Sequence, residues 1–371
     1  MRTLIIAWST VLVIFIGGAS WLQLSYDPAN YTSKDHGDET VAETHSDDLQ
    51  EDHGAKTPML DESKAAQDTA TADDASPDME TPATDTTDTT PEVALTIPSF
   101  IEEDVSIADP MSSLTETGPY GPLPVVNNRQ QPWRAYARPF GGSSRPKVAL
   151  LMIGAGLNKK QTQMAIKDLP SEVALGFSPY TADATTQTGQ ARALGHEVFV
   201  MAPMEPNDYP VNDPGPHTLL TNLTSVENLD RLYFILSRFQ GYVGLVNDMG
   251  SKFTASDSAI APVLKDIQRR GLMFVDARNS RFTLAANIAR DLGIAHASNN
   301  RFIDNAITAN DIDNQLKVLV NAAQRNGTAL GLARPYPVTI ERIRQWARTL
   351  DAQGVDLVPV TAVAIVGARQ E

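Results

Sequence analysis

The sequence of 371 residues contains no cysteine. Disulfide bonds and thiolate metal sites are therefore excluded, and an oxidising compartment is permitted without being indicated. The chain also lacks any dense cluster of lysine and arginine, which is the usual electrostatic signature of nucleic-acid binding. No nucleic-acid partner is therefore predicted.

A dinucleotide-binding fingerprint is incomplete as well. The first strand of the folded region is followed by Gly154-Ala155-Gly156, without a third glycine at the required spacing. The next strand ends in Phe177-Ser178-Pro179, where a dinucleotide site would place an acidic residue for the ribose. Nucleotide binding is therefore not predicted.

Acidic charge is concentrated in one part of the chain. Residues 27–118 contain 24 acidic residues and three lysines, a net charge of −21, whereas the whole chain carries −15. The rest of the chain is thus mildly basic, at +6. A segment so acidic has too little apolar surface to offset the entropy of ordering it. We interpret residues 27–145 as a disordered acidic linker rich in Thr, Asp and Pro.

The longest apolar run lies at the N-terminus. Residues 4–22 are uncharged, and about 20 apolar residues span the hydrocarbon core of a bilayer as a helix. Arg2 is the only preceding charge, so the positive-inside rule places the N-terminus in the cytoplasm. We predict residues 1–26 to be a single-pass inner-membrane anchor with the folded domain in the periplasm. The alternative is a cleaved signal peptide and a secreted product.

Residues 146–366 alternate short apolar runs with amphipathic segments. Runs of strand length occur at 147–153, 173–177, 197–202, 242–246, 272–276, 294–297, 328–332 and 356–360. Helical periodicity occurs at 159–169, 185–194, 224–239, 258–270, 284–292, 310–325 and 340–352. This alternation predicts an α/β fold with a parallel sheet covered by helices. About 220 residues in one unit favour a closed or nearly closed (β/α) barrel. An open doubly wound sheet is the alternative.

Polar side chains follow several of these strands, where α/β proteins place their chemistry. The longest exit segment, 202–217, is a stiff loop, because each proline fixes φ and removes a backbone donor. The strand-exit residues are Glu205, Asp213, His217, Asn247, Asp248, Asp276, Arg278, Asp304 and Arg334. In a barrel they are expected to converge at one face. A buried carboxylate at Asp276 needs a partner, so we expect a pair with Arg278 or Arg334, either structural or substrate-anchoring.

Several motifs, taken in order, resemble the divergent polysaccharide deacetylase family. They are Pro-Met-Glu-Pro at 203–206, Asp-Pro-Gly-Pro-His at 213–217 and Met-Gly-Ser-Lys-Phe-Thr at 249–254. The resemblance covers about residues 147–360. It implies a distorted (β/α) barrel of the polysaccharide deacetylase type, related to metal-dependent carbohydrate deacetylases, and a role in carbohydrate metabolism at the cell envelope.

The chain departs from the family pattern where the resemblance implies a divalent metal and an acid–base pair. Gly154 follows Ile153 where the family carries two aspartates, and Met201 and Asp248 each replace a histidine. The family's terminal Gly-His-Pro-His-Pro is replaced by Ala-Arg-Pro-Tyr-Pro at 333–337. The ligands of the expected metal are thus largely absent, and we assign no metal ligand.

Two functions remain open, and whether the protein is an enzyme is undecided. One is a deacetylase-like envelope protein with a degenerate site, in which Asp248, Asp276 and Glu205 are the candidate catalytic residues. The other is a non-catalytic protein that binds a saccharide or an envelope partner in the retained cleft. The candidate substrate-binding residues are Asp213, His217, Asn247, Arg278, Arg334 and Tyr336. The expected partners are an envelope polysaccharide and the inner membrane.

Overall fold

The computed structural model describes residues 107–367. The predicted anchor, residues 1–26, and residues 27–106 of the predicted linker lie outside the described residues. Among the described helices, none is both long enough and apolar enough to traverse a bilayer.

Twelve strands and eight α-helices are described between these limits. The strands are β1 Thr115–Gly118, β2 Gly121–Pro124, β3 Lys147–Ala155, β4 Ala174–Phe177, β5 Val198–Met204, β6 Gly244–Met249, β7 Met273–Asp276, β8 Ala295–Ser298, β9 Arg301–Phe302, β10 Thr328–Ala333, β11 Asp356–Leu357 and β12 Ile365–Val366. The helices are α1 Pro132–Ala135, α2 Lys159–Asp168, α3 Ala184–Ala193, α4 Ser225–Leu236, α5 Asp257–Arg269, α6 Ala285–Asp291, α7 Ala309–Asn326 and α8 Pro337–Ala347.

The main sheet is parallel apart from one short edge pairing. Its strand order is β12-β8-β7-β6-β5-β4-β3-β10-β9, with β11 also paired to β3 and only β12 antiparallel. A short connection links strands near the two ends of this path, because β8 pairs with β7 while β9, three residues further on, pairs with β10. The backbone N–H groups of Asn299 and Asn300 continue this pattern, donating to Asp276 and Leu330 respectively. The sheet therefore curls into a half-barrel of the expected α/β type, hereafter the barrel.

Side-chain alternation divides the core into two layers. On β3, Leu150 and Met152 face the helices, whereas Leu151 and Ile153 face the barrel interior. Successive side chains of a strand point to opposite faces, so each strand that is covered on both sides needs apolar residues throughout. This explains the continuous apolar runs in the sequence.

Local signals start several helices at the observed residues. The Thr224 side chain accepts a hydrogen bond from the backbone of Glu227, whose carboxylate bonds the Thr224 N–H in return. This reciprocal cap begins α4. Pro337 occupies the first turn of α8, where its missing N–H costs nothing. That helix was expected at 340–352, and it starts and ends earlier than expected.

The barrel is plugged at the end where its strands begin. Leu114 and Tyr136, from the N-terminal side, pack in the barrel interior with Val358, Val360 and Val363. The sequence interpretation extended the linker to residue 145, and the structure corrects it, because residues from Ile107 onward belong to the packed unit. The acidic average over 27–118 concealed these few buried apolar residues.

Candidate functional site

A cleft opens at the opposite end, where the strands of the barrel finish. Its volume is about 360 Å³. Residues from the exits of β3, β5, β6, β9 and β10 line it, joined by one from the loop after β7. The lining residues are Ile153, Gly154, Leu157, Asn158, Gln161, Met201, Asn247, Asp248, Met249, Asn279, Phe302, Arg334, Pro335 and Tyr336.

The floor of the cleft is apolar. The Met201 sulfur accepts a hydrogen bond from the Gly154 N–H at 3.0 Å, and Ile153 lies beside them, 7% exposed. Gly154 has φ +86°, a conformation that side chains with a Cβ rarely adopt. The sheet register also shifts between Ile153 and Ala155. The bulge turns the backbone of β3 so that the Gly154 N–H faces Met201.

Asp248 is the carboxylate on the cleft wall. Val246 and Asp248 are two residues apart on β6, and Val246 lies in the inner core, so alternation directs Asp248 toward the cleft. Burial raises the pKa of Asp248 to about 6, although the charge of Arg334 and the Met249 N–H act in the opposite direction. A carboxylate with such a pKa changes its charge close to neutral pH.

Arg334 is held from behind by a second carboxylate. The Asp304 Oδ2 accepts the Arg334 N–H at 2.6 Å and the Thr339 hydroxyl at 3.2 Å. The Asp304 side chain is fully buried, while the Arg334 side chain is 43% exposed, with Nη1 3.6 Å from Asp304 Oδ1. Burial raises the pKa of Asp304, and the N–H and charge of Arg334 partly counteract it. The Arg334 guanidinium thus lies at the cleft, 3.6 Å from Asp304, and its charge acts on Asp248.

Asn247 has its side chain committed to the scaffold. Its oxygen accepts the Ala277 N–H at 2.8 Å, and its amide nitrogen donates to the Met249 carbonyl at 2.7 Å. Asn279 donates to the same carbonyl at 2.6 Å. The Asn247–Ala277 and Asn279–Met249 bonds join the exits of β6 and β7, whereas the Asn247–Met249 bond lies within β6, so both ends of the Asn247 amide are engaged by the scaffold.

Glu205 lies outside the cleft and fixes the proline-rich loop. Its carboxylate accepts the Thr221 N–H, the Thr221 hydroxyl and the Lys252 ammonium at 2.6, 2.7 and 2.7 Å. Burial raises the pKa of Glu205, but these hydrogen bonds and the charge of Lys252 outweigh it and hold the pKa below its usual value. An ionised carboxylate saturated in this way is suited to joining two loops.

Asp213 and His217 lie in the same loop and do not line the cleft. Asp213 is exposed and accepts the Gly215 N–H at 2.8 Å, which closes a tight turn. The His217 ring stacks on Phe234 of α4, with 3.5 Å between centroids. Burial, with the charges of Arg231 and Arg238, lowers the pKa of His217. These contacts hold the loop against α4.

Asp276 and Arg278 are also outside the cleft lining. Met273 and Val275 face the barrel interior, so alternation directs the intervening Phe274 and the following Asp276 toward the helices. Asp276 accepts the Arg278 N–H at 2.9 Å and the Thr283 hydroxyl at 3.0 Å. Burial raises the pKa of Asp276, and these hydrogen bonds partly offset it. The expected convergence of all strand exits is therefore wrong for this pair.

The side chains present do not fit a catalytic divalent metal. Such a site requires about three protein ligands and an open position. Between residues 107 and 367, no group of three or more His, Asp and Glu side chains is arranged to hold an ion. Of the residues that line the cleft, Asp248 alone has a carboxylate and none is a histidine. We therefore derive no reaction step through a metal.

The comparisons with known proteins agree with this barrel. The profile of the divergent polysaccharide deacetylases matches residues 151–364, more than half of the chain. The chain belongs to this family. A solved structure of an uncharacterised protein from Agrobacterium tumefaciens is similar, with 36% identity and a TM-score of 0.64, covering 66% of this chain and 99% of that one.

Two bacterial relatives each match about half of this chain. An uncharacterised protein of Haemophilus influenzae is 24% identical over 208 residues, which are 56% of this chain and 73% of that protein. The Escherichia coli protein YibQ, also uncharacterised, is 26% identical over 205 residues, 55% of this chain and 63% of YibQ. Each similarity thus covers just over half of this chain and only part of the relative.

Sequence reasoning missed several residues of the cleft wall. Phe302, Leu157, Asn158, Gln161 and Asn279 line the cleft but were not singled out. Asn158 offered a signal, because it caps α2 by accepting the Gln161 N–H, as a residue at a strand-to-helix exit often does. Phe302 gave no such signal in the sequence, because its position in the cleft depends on the pairing of β9 with β10.

Proposed function

We propose that the cleft binds a saccharide chain and does not carry out metal-assisted deacetylation. The observation that carries this proposal is the composition of the cleft wall. The cleft wall contains the aromatic rings of Phe302 and Tyr336. Beside them are amide side chains, one carboxylate and one guanidinium, which belong to Asp248 and Arg334. Binding sites of this type combine apolar surface for contact with a few polar groups that fix orientation.

The aromatic side of the wall suits the apolar faces of sugar rings. Tyr336 and Phe302 are both partly exposed, and Leu157 next to them is 66% exposed. Aromatic rings bury large areas at a small cost in conformational entropy, and a tyrosine hydroxyl adds a hydrogen-bonding group. The amides of Asn158 and Gln161 supply donors and acceptors at the rim.

A second candidate is hydrolysis without a metal, favoured by Asp248. Its pKa of about 6 is close to the value expected of a general base at neutral pH. Asp276 and Glu205, which sequence reasoning also proposed as catalytic, are occupied by Thr283 and by Lys252 and Thr221, outside the cleft. Asp248 is thus the candidate base, and Arg334 the nearby cation for a developing negative charge.

One experiment separates these functions. The full chain, treated with chelator, is titrated by calorimetry with Zn²⁺, Co²⁺ and Ni²⁺, then with acetylated and unacetylated oligosaccharides, while acetate release is followed. We expect oligosaccharide binding that chelation does not change, and no acetate release. Tight metal binding coupled to acetate release would overturn the proposal.

The second candidate predicts a different result. Acetate release that survives chelation and is lost in Asp248→Asn would favour metal-independent hydrolysis. Asp213→Asn is a matched control, because Asp213 is exposed in a turn outside the cleft and an asparagine oxygen can replace its hydrogen bond to Gly215. Absence of any oligosaccharide binding would leave neither function supported.

We also propose that the protein acts at the cell envelope, on an envelope polysaccharide. The support is the uncharged apolar segment at residues 4–22, followed by the acidic stretch that separates it from the barrel. Fractionation of cells expressing the full chain, with protease added to intact spheroplasts, tests this location. Cleavage of the barrel only after membrane rupture would contradict a periplasmic domain.

A further inference from the structure

A fully buried carboxylate lies directly behind the cleft wall. Asp304 uses Oδ2 to bind the Arg334 N–H and the Thr339 hydroxyl, whereas Oδ1 is buried without a hydrogen-bond partner. The nearest cation to Oδ1 is the Arg334 guanidinium, at 3.6 Å. A buried carboxylate oxygen without a hydrogen bond is costly, so its retention beside a cleft residue requires an explanation.

The Arg334 guanidinium, which faces Asp304, has N–H donors available for a ligand. A guanidinium carries five N–H donors in a planar fork. The contact with Asp304 is longer than a hydrogen bond, and nearly half of the Arg334 side chain is exposed at the cleft. The charge of Arg334 also acts on Asp248 across the cleft. The cleft therefore offers a donor fork next to a carboxylate acceptor.

We propose that Asp304 is a positioning residue that holds the Arg334 fork over the cleft, and that Arg334 and Asp248 together bind adjacent hydroxyl groups of a neutral sugar. This inference rests on the proposed saccharide-binding function. A hydroxyl both donates and accepts, so neighbouring hydroxyls can accept from the guanidinium and donate to the carboxylate.

The charge balance argues against an acidic sugar. The Asp248 carboxylate and the Arg334 guanidinium line the cleft, a second carboxylate, Asp304, lies 3.6 Å from that guanidinium, and the other cleft-lining residues are uncharged. A uronate or phosphate group would therefore meet excess negative charge in a partly desolvated site, which is unfavourable. A neutral sugar meets no such repulsion.

The test compares neutral and acidic tetrasaccharides on the full chain. Cellotetraose and tetraacetylchitotetraose represent neutral sugars, and tetragalacturonate represents acidic ones, each titrated by calorimetry. We expect a neutral tetrasaccharide to bind at least about tenfold more tightly than tetragalacturonate. Tetragalacturonate binding as tightly as the better-bound neutral sugar would overturn the inference while leaving saccharide binding intact.

Two variants test the roles of the individual side chains. Arg334→Lys keeps the charge but loses the fork, and we expect about a tenfold loss of affinity for the neutral sugar. Asp304→Asn keeps the shape but removes the charge behind Arg334. We expect it to weaken the neutral sugar about fivefold and to leave tetragalacturonate unchanged or improved, which narrows the selectivity.

A matched control is available in the same part of the chain. Arg342 and Asp313 form a two-pronged ion pair between α7 and α8, and neither lines the cleft. Asp313→Asn should leave affinity and selectivity unchanged. Equal weakening of neutral and acidic sugars by Asp304→Asn would indicate a purely structural residue and overturn the positioning role. If Asp304→Asn fails to fold, Arg334→Lys still tests the positioning role, and wild-type affinity for the neutral sugar in that variant would overturn it. If the wild-type chain binds none of the three sugars, the proposed saccharide-binding function is overturned as well.

Discussion

The two ends of the barrel use buried carboxylates in opposite ways. At the plugged end, Glu197 is 1% exposed and accepts the Arg138 N–H at 3.1 Å, the Thr361 N–H at 3.1 Å and the Thr361 hydroxyl. At the cleft end, Asp304 is equally buried but leaves one oxygen without a hydrogen bond. The first carboxylate is saturated by the scaffold, and the second is not.

This difference distinguishes the plugged end, where the buried carboxylate serves the scaffold, from the cleft end, where we propose that a ligand binds. Burial raises the pKa of Glu197 to about 7, against the effect of its hydrogen bonds, yet those bonds join the start of β5 to Arg138 and to Thr361. A carboxylate with all its acceptors occupied has little left to offer a ligand. Asp304 Oδ1 lacks a hydrogen bond directly behind the cleft wall, and Asp248 and Arg334 line the cleft, where polar capacity remains for a partner.

Removal of the plug is expected to have the largest effect. A chain that begins at residue 145, where sequence analysis ended the linker, lacks Leu114, Leu123 and Tyr136, all nearly fully buried. Each such side chain contributes about 1.5–3 kcal/mol on burial, so the loss is roughly 5 kcal/mol or more. Urea denaturation should show a much lower midpoint or no cooperative transition, whereas a chain that begins at residue 107 should unfold like the full chain. Equal midpoints for both truncations would contradict the plug.

Replacement of the saturated carboxylate should have the next largest effect. Glu197→Ala leaves the Arg138 and Thr361 N–H groups without acceptors and opens a cavity, which we expect to cost roughly 3 kcal/mol, or about 6–12 °C in Tm. Saccharide affinity should not change. Glu172→Gln is the control, because Glu172 contacts the same Arg138 at 3.5 Å from a more exposed position. A Tm equal to that of the wild type in Glu197→Ala would remove the contrast between the ends.

Loss of an aromatic ring from the cleft should reverse this pattern. Tyr336 precedes α8 and makes no side-chain capping bond, so Tyr336→Ala should leave Tm within about 3 °C of wild type. Affinity for a bound oligosaccharide should fall about tenfold, because stacking and hydroxyl contacts are lost. Phe140→Ala is the control, since Phe140 is also exposed and does not line the cleft. Equal affinities in the two variants would argue against this wall as the binding surface.

The smallest effect expected is a pH dependence of binding. Asp248, with a pKa of about 6, accepts hydrogen bonds best when ionised, so affinity should rise severalfold as the pH increases from 5 to 7.

The raised pKa of Asp248 also means that the folded state retains a proton that the unfolded state releases above its ordinary pKa. Stability should therefore fall as the pH rises from about 4 to 6. Calorimetry on Asp248→Asn should show an affinity that does not change with pH. If the affinity of this variant rises with pH as in the wild type, another group is responsible for the pH dependence.

The sequence predicted the elements well and the site only in part. The seven longer parallel strands lie close to their predicted positions because buried runs such as 147–153 and 242–246 are unmistakable. Among the predicted site residues, the structure brings Asn247, Asp248, Arg334 and Tyr336 together in the cleft. Asp276 was misplaced by reasoning that considered strand ends without side-chain alternation. Asp304 was recognised as a strand-exit residue, but its role behind Arg334 depends on two strands 30 residues apart.

By itself, the sequence determined that parallel strands and helices alternate and that its motifs resemble the family's, with Gly154, Met201 and Asp248 where that resemblance implies metal-binding residues. These are local properties of composition, periodicity and motif. Only the tertiary structure decided that a short segment connects β8 to β9 across the curled sheet and that Leu114 and Tyr136 pack in its interior. It also decided which polar groups are saturated. The reason is that hydrogen bonds between segments far apart in sequence follow from how the sheet curls, which no local pattern encodes.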